Sequence, residues 1–82
     1  MSIEKIRREI DAVDDQLAVL MKTRFDLSKA MGEEKKKIRR AVYDPAREKA
    51  ILRRVEEAAA PYGEEVRGVY EKIMEFSRRL QR

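Results

Sequence analysis

Ile3, Ile6, Ile10, Val13, Leu17 and Leu20 recur in alternating steps of three and four. Each helical residue advances about 100°, so this spacing puts all six on one face of a helix. The face then continues but changes character. Its next positions are Arg24, Ser28, Met31 and Lys35, all within about 40° of Arg24 in projection. Ser2 is a suitable N-cap, and the pattern predicts one helix from there to about Arg39. Gly32 lies inside it and costs up to about 1 kcal/mol relative to alanine without ending it. Such a helix of about 36 residues is about 54 Å long, longer than a compact monomer of 82 residues is wide. Its apolar stripe is therefore expected to pack partly against a second copy of the chain.

Two shorter helices follow. Arg40-Ala41-Val42-Tyr43 reads as an extended connector. Asp44-Pro45 supplies an N-cap and a proline at the first helical position, where its missing N–H does no harm. The stripe Ile51, Val55, Ala58 and Ala59 carries this second helix to about Ala60. Pro61-Tyr62-Gly63 interrupts the chain, and from about Glu64 a third helix presents Val66, Val69, Tyr70, Ile73, Phe76 and Leu80. The expectation is a single all-α domain over 1–82: three helices per subunit, one long and two shorter, in a homodimeric helical bundle.

Composition removes whole classes of chemistry. There is no cysteine and no histidine, hence no disulfide, no thiolate nucleophile and none of the usual zinc ligands. No metal site is expected. The first residues lack a signal-peptide core, and no apolar run approaches the ~18 residues of a membrane span; a cytoplasmic protein without membrane association is expected. The run Lys35-Lys36-Lys37-Ile38-Arg39-Arg40 invites a nucleic-acid reading. It has no interleaved aromatics, however, and acidic residues are mixed with basic ones along the chain, so no nucleic-acid partner is expected.

The informative residues are polar ones on or beside inward faces. Arg24, Ser28 and Lys35 lie on the stripe of the first helix. Arg47 and Glu48 flank the stripe of the second, and Ser77 and Gln81 lie in and beside that of the third. Any one alone reads as a solvated or snorkelling side chain. Their recurrence on three helices points instead to a shared lining, because an unpaired buried cation needs an anion or a carboxylate partner. Arginine grips carboxylates, lysine adds a point charge, and glutamate accepts from a hydroxyl. With no histidine to activate a serine, such a pocket would work by holding a reactive shape and stabilising developing charge.

The segments Ile6-Arg7-Arg8-Glu9-Ile10-Asp11-Ala12-Val13-Asp14 and Val42-Tyr43-Asp44-Pro45-Ala46-Arg47-Glu48, with Arg24, Lys35, Ser77 and Gln81, resemble the all-helical chorismate mutases over essentially the whole chain. The resemblance implies a cofactor-independent rearrangement of chorismate to prephenate in an intertwined homodimer. It implies Arg24 and Arg47, helped by Ser77, on the substrate carboxylates, and Arg7 reaching a carboxylate from the other subunit. Lys35 and Gln81 would act on the breaking ether oxygen. Glu48, with Lys35 and the backbone of Asp44, would orient the ring hydroxyl. Catalytic roles thus fall to Lys35, Gln81, Arg24 and Glu48. Elimination of pyruvate from isochorismate on a similar scaffold, or a non-catalytic helical binding module, are the alternatives. Gln81, one residue from the end of the sequence, is expected to lie in a fraying turn.

Overall fold

The computed structural model describes residues 2–82. Among them the chain is entirely helical outside its connections: α1 spans Ile3–Lys37, α2 Pro45–Ala58 and α3 Gly63–Gln81. Local chemistry sets the starts. The Ser2 hydroxyl accepts from the Lys5 N–H at 3.1 Å, and the Asp44 carboxylate accepts from the Arg47 N–H at 3.0 Å ahead of Pro45, satisfying N–H groups that a helix start leaves unpaired.

α1 ends two residues before the expected Arg39. The Arg39 N–H donates to the Lys36 carbonyl and the Arg40 N–H to the Lys35 carbonyl, with Arg39 at φ 55°. This is the left-handed helix stop that glycine normally fills; an arginine there removes the sequence signal for it. α2 likewise ends at Ala58 rather than about Ala60, and α3 begins at Gly63 after a cis Ala60–Pro61 bond.

α3 is the hub. It runs parallel to the C-terminal half of α1, with Phe25 and Phe76 edge to face at 6.4 Å, and Arg24 and Gly32 opposite Ser77 and Gln81. It runs antiparallel to α2, where Arg67 meets Glu56 at 2.6 Å and Arg78 meets Glu48. α1 and α2 make no helix contact with each other. Both flank α3, and the space between them becomes a cleft.

The core of one chain is small: Ile51, Leu52 and Met74 cluster with Val55 and Tyr70 packed against them, and Ile73 is buried as well, as its stripe predicts. Met74, the most shielded at 3% exposure, and Leu52 lie outside the expected stripes. α3 must bury one face on α1 and another on α2, so its contact band is wider than a single stripe. Val69, expected inside, is 58% exposed. The N-terminal half of α1 projects beyond the other helices, and the molecule is 54 Å in its longest dimension. Within the single chain Ile3, Ile6, Ile10, Val13, Leu17 and Leu20 are all exposed. No helix is long and apolar enough to cross a membrane among the described residues.

Candidate active site

A cleft of about 460 Å³ opens between the C-terminal half of α1 and the start of α2, floored by α3. Arg24, Ser28, Lys35, Asp44, Arg47, Glu48, Ser77 and Gln81 all line it. Eight residues selected from three separate segments of sequence thus meet in one place. Arg7 does not: it lies on the projecting half of α1, 69% exposed, and its guanidinium contacts Glu4 at 3.4 Å.

Arg24 donates to the Ser77 hydroxyl at 3.1 Å, and its guanidinium lies 5.7 Å from the centre of the Tyr70 ring. Ser28 donates to the Arg24 carbonyl at 3.0 Å and is hydrogen-bonded to Ser77. Both serines are buried at the helix contact; Ser77 holds the Arg24 head, while Ser28 bonds the Arg24 backbone and Ser77. The Lys35 ammonium donates to the Val42 carbonyl at 2.8 Å and to Oε1 of Gln81 at 2.7 Å. The connector after α1 and the last turn of α3 are thereby both tied to Lys35. Gln81 also donates from Nε2 to the Ser77 carbonyl at 3.3 Å. The turn expected to fray is part of α3, and its side chain is engaged on both ends of the amide.

These partners leave capacity. An ammonium has three hydrogens and an amide nitrogen two, so Lys35 and Gln81 each retain one donor beyond the bonds they make within the chain. Among the described residues, none of the ion pairs includes Arg24, Lys35 or Arg47. The sequence left two explanations for cations on an apolar stripe, carboxylate partners or a bound anion. Within the chain, Arg24 and Lys35 meet neutral hydrogen-bonding groups. The lining holds six cations, with Arg40, Arg54 and Arg78 joining Arg24, Lys35 and Arg47, against the carboxylates of Glu34, Asp44 and Glu48.

Glu48 is paired with Arg78, a residue the sequence reading passed over although it lies between Ser77 and Gln81. Nη1 of Arg78 is 2.6 and 2.8 Å from the two Glu48 oxygens. The hydrogen bond to Glu48 is the main cause that raises the pKa of Arg78 above its ordinary value. Only the antiparallel register of α2 on α3 brings the two together. Gly32 was also undervalued. A Cβ there would lie 2.5 Å from the Gln81 carbonyl oxygen and 2.6 Å from its Cα, so the glycine permits the approach that brings Gln81 to Lys35.

The chain matches the family model described as chorismate mutase type II over residues 6–82. It is also similar to a solved structure, a conserved hypothetical protein from Pyrococcus furiosus, at 35% identity and a TM-score of 0.84, covering 98% of this chain and 95% of that one. No curated protein matches. The cleft residues, the three-helix arrangement and the extent of the family match lead to one conclusion: this chain belongs to the chorismate mutase type II family.

Proposed function

We propose that the protein is a chorismate mutase, converting chorismate to prephenate by a concerted rearrangement in a homodimer. The observation that carries this reading is the pair of cations on α1, Arg24 and Lys35, which face the cleft with only neutral partners. Chorismate is a dicarboxylate with an enolpyruvyl ether. In the reaction the ether C–O bond breaks, a C–C bond forms, and no proton is transferred. A catalyst therefore needs to hold the folded conformer and to stabilise the negative charge that gathers on the ether oxygen.

Arg24, oriented by Ser77, and Arg47 grip substrate carboxylates. The spare donors of Lys35 and Gln81 meet the ether oxygen, while Glu48 and the backbone at Asp44 hold the ring hydroxyl. A million-fold acceleration needs about 8 kcal/mol of differential stabilisation. Two donors aimed at one developing oxyanion supply about 3–4 kcal/mol each, and restraint of the conformer supplies the rest. None of these steps calls for a cofactor.

The second copy has its own support. Six large apolar residues on α1 form an exposed stripe, and leaving that area in water forfeits about 25 cal/mol per Å². A partner laid along the stripe covers it and carries its own Arg7 toward the open side of this cleft, adding a further cation for a substrate carboxylate. Each chain then acts as one domain of the intertwined pair.

The deciding experiment incubates purified protein with chorismate, and separately with isochorismate, and follows ultraviolet absorbance and products without added metal or cofactor. Prephenate formation from chorismate is expected. A rate no higher than background, or release of pyruvate from isochorismate as the main reaction, overturns the proposal.

A further inference from the structure

Of the three carboxylates lining the cleft, Glu48 is the most shielded, with a side chain 20% exposed against 34% for Asp44 and 67% for Glu34. It faces α3, and there Arg78, itself 28% exposed, places one guanidinium nitrogen across both of its oxygens. The same guanidinium lies 5.6 Å from the centre of the Tyr43 ring, in the connector whose Val42 carbonyl accepts from Lys35. Arg78 also borders a second hollow, on the side of Lys72 and Glu75.

A carboxylate offers about four acceptor positions, and Nη1 takes one on each oxygen. Each oxygen keeps another for a hydroxyl. The pair matters most for a ligand of this cleft's chemistry. A lone carboxylate in the wall repels a dianion, and the low dielectric of a shielded site strengthens that repulsion. Neutralised in place, the same carboxylate still accepts a hydrogen bond.

We infer that Arg78 is a positioning residue of the active site: it holds the Glu48 carboxylate toward the cleft and cancels its charge, so that Glu48 accepts a substrate hydroxyl without repelling the substrate's carboxylates. The inference rests on the chorismate mutase reading above. Charge cancellation acts equally on bound substrate and transition state, so it belongs in KM rather than kcat.

The test assays wild type, Arg78→Met, Glu48→Gln and the double variant with chorismate, and records a thermal melt of each. Arg78→Met is expected to raise KM about tenfold with kcat held within about threefold. In the Glu48→Gln background, where no charge remains to cancel, the same substitution is expected to leave KM unchanged. Arg78→Lys is expected to recover most of the wild-type KM. Arg78→Gln, which keeps a hydrogen-bond donor for Glu48, supplies the same comparison if the methionine variant does not fold. An unchanged KM in the uncharged variants, or an equal loss in the Glu48→Gln background, overturns the inference; the second outcome puts Arg78 on the substrate itself. Absence of wild-type turnover removes the parent reading and this inference together, whereas wild-type turnover with additive variants removes the inference alone.

Discussion

Lys35 donates through Nζ to Oε1 of Gln81 at 2.7 Å, joining α1 to the last turn of α3. An ammonium has no acceptor, so it selects the oxygen end of the amide and leaves Nε2 as the donor. One bond thus ties two proposed catalytic groups together and sets the polarity of the second.

Replacing either α1 cation removes a charge-assisted contact at the heart of the proposed site. Arg24→Ala and Lys35→Ala are each expected to lower chorismate turnover by at least about 100-fold while the circular dichroism spectrum stays helical. Near-normal turnover in a folded variant would reject the assignment.

Gln81→Glu examines the donor directly. An ionised carboxylate only accepts hydrogen bonds, so the variant can donate to an ether oxygen only while protonated. Its rate is expected to fall as pH rises through that carboxyl's pKa, whereas the wild-type amide carries no such acid requirement. A pH–rate comparison of the two separates the outcomes, and matching profiles contradict the role given to Gln81.

Gly32→Ala should act through Gln81. Helix propensity alone favours alanine by about 1 kcal/mol. The obstructing atoms, however, are Gln81 backbone atoms at 2.5 and 2.6 Å, which cannot rotate away, and overpacking of this kind costs about 1–3 kcal/mol. A lower melting temperature and a reduced rate are expected. A more stable variant of full activity would show that α3 shifts freely.

Arg39→Gly should do the opposite. The arginine occupies a left-handed position at φ 55°, which glycine adopts without a Cβ penalty. A gain of about 0.5–1 kcal/mol in denaturant unfolding is expected, after allowing for the greater freedom of glycine in the unfolded chain.

Leu17→Asp places a charge in the middle of the exposed α1 stripe. Sedimentation is expected to report a dimer for wild type and a monomer for the variant, with activity lost alongside. A wild type that is fully active as a monomer would refute both the partner and the role of Arg7.

Much of the cleft lining was legible because burying charge is costly. Arg24 and Lys35 stood out by occupying positions where leucine or isoleucine would continue the stripe, and the cleft has both of them on its wall. The helix starts were legible because Ser2 and Asp44-Pro45 act through bonds three residues away. The end of α1 was not, since Arg39 does the work of a glycine without looking like one. Arg78 was passed over because a charge on a polar helix face is ordinary until the facing helix is known. Gly32 read as a helix defect because its value lies in what approaches it.

The sequence by itself determined the three helices, two of their caps, and which cations could not be explained by packing. These depend on periodicity and on contacts within one turn, where neighbours in sequence are neighbours in space. Tertiary structure alone decided that α3 would lie between helices that do not touch, that Glu48 would meet Arg78, and that Gln81 would reach Lys35. Those relations depend on register across residues 30 to 46 positions apart, which no local pattern encodes.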